Sequence, residues 1–491
     1  VPATMPPDDQ SSPQPTLPAT PTPEPALNAA LSAAAAGPPP ATAPAAGRLG
    51  GPGRHVLAWS AWDWGSAAFN AVVTTFVFTT WLSSSAFVEA GEIEADVVAR
   101  NTAWIGWALA AAGLVIALLA PALGALADSR GRRKPWLAAN TAGVVAAMVA
   151  MFWVQPVPGS LADAVILGAV LLAVGNVFFE LASVAYNALL LQISTPRTIG
   201  RVSGIGWGAG YVGGIVLLLV LFVGFIDPEV GWFGVTGEDG MNIRVSVLVS
   251  ALWFGLFALP VLLMVPDAPA KTGGGVSFLG AYRKLFADVA YLWRTQRSTL
   301  WYLVASAVYR DGLAGVFTFG GILAVAVFGF TSSEVIVFAI AANVVAGLST
   351  IAGGWLDDRI GPRRVVIAAL VGLLVAGLAV FFLHDRGQTV FWIFGLALSA
   401  FVGPAQSASR GLLARLAAPG HETEAFGLYA TTGRAASFLA QAAYSVFVVA
   451  LGAAYWGILG ILLVIAVGLV LLLLVRFPAG SGVDGRRDLA A

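Results

Sequence analysis

The chain has no cysteine and only three histidines in 491 residues. Disulfides and thiol chemistry are excluded, and few ligands remain for a structural metal. Charge is equally scarce: Asp, Glu, Lys and Arg make up 11% of the chain, against roughly 25% in an ordinary soluble domain. The 26 basic residues cancel the 26 acidic ones, so no basic field is available to hold nucleic acid. Such a deficit of charge excludes a soluble globular protein. What fills the space is apolar, 58% of the chain, as expected where the solvent is hydrocarbon and each crossing takes about 20 mostly apolar residues.

Residues 1–55 are rich in Pro, Ala, Ser and Thr, with no Lys or Arg before Arg48. They lack both an apolar face and the charged start of a signal peptide, and are expected to form a disordered tail. Twelve apolar stretches follow, near 57–82, 102–127, 136–155, 162–190, 200–226, 242–265, 299–328, 333–355, 364–383, 389–410, 424–450 and 455–476. Each is long enough to cross a bilayer as a helix. A transmembrane barrel would alternate polar and apolar residues, and the run from Ile458 to Val475 does not. The class is all-helical and membrane-integral.

Lys and Arg in short loops collect on the cytoplasmic side. Fourteen fall in loops on one side, among them Arg130, Arg132, Arg133, Arg197, Arg359, Arg363 and Arg415, against Arg100 and Arg386 on the other. Both termini are therefore expected to be cytoplasmic, with 477–491 a second tail. The longest internal loop, 266–298, divides the chain into six-helix halves over 56–265 and 299–476. Within it Phe278, Tyr282, Leu285, Phe286, Val289, Leu292 and Trp293 recur at helical spacing, as in an amphipathic helix on the membrane surface; a plain linker is the alternative.

One pattern occurs twice. After the second stretch come Gly124, Asp128, Arg130, Gly131, Arg132 and Arg133, and after the eighth come Gly354, Asp357, Asp358, Arg359, Gly361, Arg363 and Arg364. Matching places in the two halves indicate a duplicated six-helix unit. The pattern G-x-x-x-D-x-x-G with trailing arginines resembles the loop signature of the major facilitator superfamily. An acid at a helix end beside guanidinium groups can form charge-assisted hydrogen bonds that hold one conformation. Asp128, Arg132, Arg133, Asp358, Arg359 and Arg363 are the expected gating residues; the alternative is that the arginines only set topology. The first copy carries Ser129 where the superfamily usually has a basic residue.

Further stretches narrow the resemblance: Trp59 to Phe69 (WSAWDWGSAAF), Ser203 to Gly214 (SGIGWGAGYVGG), Gly403 to Arg410 (GPAQSASR), Phe426 to Tyr429 and Gly433 to Leu439. Together they resemble the vacuole-effluxer branch, named for a fungal vacuolar amino-acid exporter, over most of residues 57–476. One departure is Ala440-Gln441, where Gly-Pro is expected to bend helix 11. The resemblance implies a monomer working by alternating access that exports amino acids or a similar small polar metabolite. The Ala- and Gly-rich composition points to a bacterial plasma membrane.

Three other motifs fail on context. Gly208, Gly210 and Gly213 fit a dinucleotide fingerprint but lie inside an apolar helix, where small residues serve close packing. No lysine sits in a phosphate-binding loop, so direct ATP drive is not expected. His421-Glu422 starts like a zinc helix, yet Ala425 stands where the second histidine belongs. No cofactor, metal or enzymatic activity is expected.

Ionisable groups at membrane depth are costly and mark pathways. Asp63, Glu180, Arg310, Asp311 and Arg434 are such groups, and their sum of −1 leaves one carboxylate free to carry a proton. Asp63 shares a polar stripe with Ser66, Asn70 and Thr74; Glu180 with Asn176, Ser183 and Asn187; Arg434 with Thr431, Ser437 and Gln441; Gln406 with Ser399 and Arg410. Several such stripes imply a shared polar interior. The resemblance implies that helices 1, 4, 7 and 10 line it, giving a substrate and proton pathway through Asp63, Asn70, Glu180, Arg310, Asp311, Gln406 and Arg434. Arg310 is expected to face an anionic substrate group or Asp63, and Asp311 a neighbouring helix. Asp63, six residues into helix 1, is placed about 9 Å from its inner end. Trp59, Trp62 and Trp64 are expected to form an interfacial belt. Sugars or amphipathic drugs are the rival cargoes, and a non-transporting receptor or scaffold is the rival class.

Overall fold

The computed structural model describes residues 52–130, 132–267, 296–418, 421–478 and 481–484, with Gly280, Tyr282, Arg283, Ala287, Val289, Ala290, Trp293 and Arg294 between them. The expected tail up to residue 51 and most of the expected amphipathic helix lie outside the described residues.

The described chain is helical, in the order α1 (52–82), α2 (Glu94–Arg130), α3 (Lys134–Met151), α4 (Leu161–Ile193), α5 (Ile199–Leu221), α6 (Met241–Met264), α7 (Arg297–Ala326), α8 (Ser332–Ile360), α9 (Pro362–Phe382), α10 (Gln388–Leu416), α11 (Glu422–Leu451) and α12 (Trp456–Leu474). Among the described residues eleven helices are long and apolar enough to cross a membrane. The remaining expected crossing is α3, 18 residues long, with Lys134 and Pro135 in its first turn. At the N-terminus of α8, Thr331 and Glu334 form a reciprocal capping box. Backbone and hydroxyl hydrogen bonds from Thr331 hold the Glu334 carboxyl below its usual range.

The start of α1 departs from the sequence reading. The helix begins at Pro52, so Asp63 lies eleven residues in, about 16 Å at 1.5 Å per residue. Trp59 and Trp62 are not an interfacial belt: they are 0% and 1% exposed. Their rings stack on Tyr186 of α4 at 4.5 and 4.2 Å. Trp59 Nε1 donates to the Tyr186 carbonyl, and Tyr186 Oη donates to the Trp59 carbonyl, each at 3.1 Å. Trp64 packs against Trp253 of α6 instead. Beyond Ala67 the helix widens into a π-helical stretch, Ala68–Phe76, where the Thr74 and Thr75 hydroxyls both donate to the Asn70 carbonyl.

α11 also breaks. Its first segment ends at Ala436 and its second begins at Leu439, without proline or glycine at the break. Asp311 of α7 supplies the missing signal: its Oδ2 accepts from the Ala440 backbone N–H at 2.6 Å, capping the second segment in the way a side-chain oxygen caps any helix start. The expectation that Asp311 meets a neighbouring helix holds.

Small residues set how close the helices come. A Cβ on Gly204 of α5 would lie 2.8 Å from the Thr350 carbonyl of α8, and one on Gly427 of α11 would lie 2.6 Å from the Ala120 carbonyl of α2. These pairs join the first six helices to the last six. Gly468 of α12 plays the same part within the last six, where a Cβ would sit 2.5 Å from Tyr309 Cβ on α7. Gly468→Leu is therefore expected to force α7 and α12 apart at a cost of about 1–3 kcal/mol. Thermal unfolding of the purified protein should register it as a lowered midpoint, and an unchanged midpoint would contradict this packing.

Candidate functional site

The charges fall into two tiers: one at the helix ends carrying the arginine-rich loops, the other near mid-span. At the arginine-rich end, Asp128 closes α2 and is 2% exposed. Its Oδ1 accepts from Arg133 Nε and Nη2 at 3.2 and 3.0 Å, while its Oδ2 accepts from the Glu424 backbone N–H at 2.9 Å. Arg133 also pairs with Glu422 and donates to Thr423 Oγ1. An acid from the first six helices thus caps the N-terminus of α11. The second motif copy mirrors this: Asp358 accepts from the backbone N–H groups of Gly200 and Arg201 at 2.8 and 3.1 Å, capping α5. Beside it Arg415 pairs with Asp357 at 2.9 Å. Helix N-termini carry a partial positive charge, so each acid satisfies otherwise orphaned donors and a dipole together.

Three expected gating residues stand outside this network. Arg132 and Arg359 are exposed and have no side-chain hydrogen bond or ion pair among the described residues. Arg363 turns to its own end of the chain, donating to the Val475 carbonyl at 3.3 Å and approaching Asp484 at 4.0 Å. The motif arginines are thus unequal: Arg133 bridges the two halves, and Arg363 fastens the chain after α12. Asp357, Arg415, Glu422 and Thr423 complete the network; of these Asp357 and Arg415 stood out in sequence, as part of a motif and as a loop charge, Glu422 only within the rejected zinc motif, and Thr423 not at all.

Deeper in, Arg410 of α10 crosses to three helices of the first six. It donates from Nη1 to Asp63 Oδ2 at 3.3 Å and Asn187 Oδ1 at 3.2 Å, from Nε to Ser203 Oγ at 2.9 Å, and from Nη2 to the Ser203 carbonyl at 2.6 Å. Asp63 therefore pairs with Arg410 and not with Arg310. Counting Arg410, the span charges become three acids and three arginines, which removes the surplus acid inferred from sequence.

Near mid-span, Arg434 of α11 pairs with Glu180 of α4 and donates to Asn176 Oδ1 at 3.1 Å. The side chains are 28% and 26% exposed, so this pair borders open space. Arg310 lies over the Tyr429 ring at 3.7 Å from its centroid and has no carboxylate partner among the described residues. Gly312, on the opposite face of α7, packs against Ile465 of α12, which turns Arg310 away from α12 and toward the bundle interior. Asn70 lies on the Asp63 face of α1 and is exposed. Gln406 lies one turn from Arg410, with its Oε1 buried and unpartnered among the described residues.

The direct polar contacts between the first six and last six helices run from the arginine-rich end up to the Arg434–Glu180 pair. The two halves are therefore in contact at the arginine-rich end, while the exposed Asn70 lies beyond those contacts.

A family profile described as "Vacuole effluxer Atg22 like" matches residues 52–482. An uncharacterized MFS-type transporter, YxiO of Bacillus subtilis, is 25% identical over 434 residues, covering 88% of this chain and 96% of the relative. Autophagy-related protein 22 of Cryptococcus neoformans is 26% identical over 289 residues, 55% of this chain and 49% of the relative. Among solved structures, the major facilitator transporter FucP in its outward conformation superposes with a TM-score of 0.64 at 15% identity, covering 87% of this chain and 99% of that one. A bacterial homologue of the iron transporter ferroportin in an outward-facing state gives 0.63 at 14%, covering 86% and 98%.

Removal of a capping carboxylate should loosen the helix start it serves. In Asp128→Ala, hydrogen exchange at the Glu424 amide is expected to rise about fivefold, the counterpart of a cap worth about 1 kcal/mol. In Asp358→Ala the rise should appear at Gly200 and Arg201 instead. Unchanged exchange at both sites would remove the capping role.

Proposed function

The chain belongs to the vacuole-effluxer family of the major facilitator superfamily, and from that premise we propose that it exports amino acids by alternating access. That it is a multi-pass membrane transporter for small molecules follows from the family. The cargo, the direction, a cytoplasmic arginine-rich end and a bacterial plasma membrane are our reading, as is a monomeric working state.

The observation that carries the cargo is Arg310. It is the one arginine of the span charges with no carboxylate beside it among the described residues, and it sits on an aromatic ring. A guanidinium in this setting can bind a carboxylate through two parallel hydrogen bonds. The Glu180–Arg434 pair borders the same interior, and Glu180 is an acceptor for an ammonium group. A zwitterion needs one contact of each sign, which a sugar does not. An α-amino acid entering between α4, α7 and α11 would exchange water for both.

Proton coupling enters through Asp311, the span carboxylate that no arginine neutralises among the described residues. It is held by the backbone N–H groups of Ala440 and Leu439, so a proton there trades against the cap on the second segment of α11.

Purified protein in liposomes tests this reading with a panel of radiolabelled amino acids, with and without an imposed pH gradient. Arg310→Ala is expected to lower kcat/KM for the accepted amino acid by about a hundredfold or more, since it removes a desolvated charge partner. Asp311→Asn should lose gradient-driven flux while keeping substrate exchange. If folded protein moved no amino acid but did move sugars or amphipathic drugs, the cargo assignment would fail.

A further inference from the structure

Arg410, Arg434 and Arg201 each reach a carboxylate of the opposite half, and of the three only Arg410 is buried, at 5% exposure against 28% and 47%. Arg133 divides its bonds between Asp128 of its own half and Glu422 of the other, and Arg415 pairs with Asp357 and Asp358 of its own half. Arg410 spends all three nitrogens on the opposite half: on Asp63 of α1, Asn187 of α4, and the side chain and carbonyl of Ser203 of α5. Its guanidinium carbon also lies 4.8 Å from the Trp59 ring centroid and 5.6 Å from that of Trp207, so cation–π contacts flank it. The side chain is 5% exposed.

From this we propose that Arg410 is the positioning residue that latches the arginine-rich end shut, separate from the repeated loop motif, and that its transfer from this socket to water is the step that opens that end. The inference rests on the alternating-access reading but not on the identity of the cargo. Within its own half Arg410 makes no polar contact among the described residues, so the interactions it offers belong to the closed state alone. Opening would hydrate both Arg410 and Asp63. The latch is therefore bistable: paired and dry when shut, unpaired and wet when open, with neither state leaving a dry unpaired charge. Taking away the guanidinium leaves the largely buried Asp63 without its cation, beside only the Tyr186 hydroxyl, in the closed state alone, which fixes the direction of the shift.

The absence of cysteine allows two to be introduced alone. Spin labels on Arg197→Cys and Arg364→Cys, both exposed at the arginine-rich end on opposite halves, report closure as a distance distribution in lipid nanodiscs. We expect the otherwise unaltered protein to give mainly the short distance. Arg410→Gln should lower the ratio of short to long populations by about tenfold, the factor that corresponds to 1.4 kcal/mol, with Arg410→Lys between the two because a single ammonium cannot reach three helices. Asp63→Asn keeps the guanidinium and its Ser203 bonds, and should shift the same way by less. It decides the matter if Arg410→Gln does not fold. A distribution unchanged in every variant that folds would overturn the latch. No substrate is present in these measurements, so failure of the amino-acid assignment would leave them unaffected.

Discussion

An ionised side chain surrounded by hydrocarbon has to find a partner, a dipole or water, and the architecture follows from how six charges meet that demand. Arg410 takes an acid, two neutral polar side chains, a carbonyl and two aromatic rings. Arg434 takes Glu180. Asp311 takes a helix start. Arg310 takes the face of a ring and no carboxylate among the described residues. All four of these solutions reach across elements, so burial of charge is also what ties helices together. A pair that is stable only when both members are dry, or both wet, is suited to a protein that alternates between two packings.

The same logic operates at the helix ends, where backbone amides add to the arginines as partners. Asp128 and Asp358 stand at equivalent places in the two motif copies, and each caps a helix of the opposite half. This makes the repeat a symmetric device: α2 closes on α11 as α8 closes on α5. Glycine permits the approach. Gly427 lies where a Cβ would strike the Ala120 carbonyl, and Gly204 where one would strike Thr350. Close backbones give the acids short bonds to amide donors, and loss of either feature would weaken the other.

Much of this was legible in the chain itself. Hydrocarbon-length apolar runs, the duplicated motif and the five costly charges needed only composition and spacing, and the family followed from residue patterns. Partnership was not legible, because periodicity tells which face of a helix a residue occupies but not which helix it meets. Arg410 was visible on a polar stripe, yet its socket draws on residues 63, 187 and 203, separated by more than a hundred positions in places. The tryptophans were misjudged because Arg54 and His55 look like a loop, whereas the helix already begins at Pro52, and this moves Trp59 and Trp62 from the interface into the core. The break in α11 carried no proline or glycine because its signal is Asp311, on another helix. Equal weight on all motif arginines also failed: Arg132 and Arg359 are exposed and Arg363 holds the end of the chain, a division that only the neighbouring backbone decides.

The central claim is that these charges border a water-filled path, sealed at the arginine-rich end and reached from the other. Asn70, on the Asp63 face of α1, is the position that tests it. In the otherwise cysteine-free protein, Asn70→Cys in sealed vesicles of known orientation should react with a membrane-impermeant maleimide added on the side opposite the arginine-rich loops. Absence of reaction from both sides, in protein that labels fully once unfolded, would mean that Asn70 faces lipid or packed protein and that no such path exists.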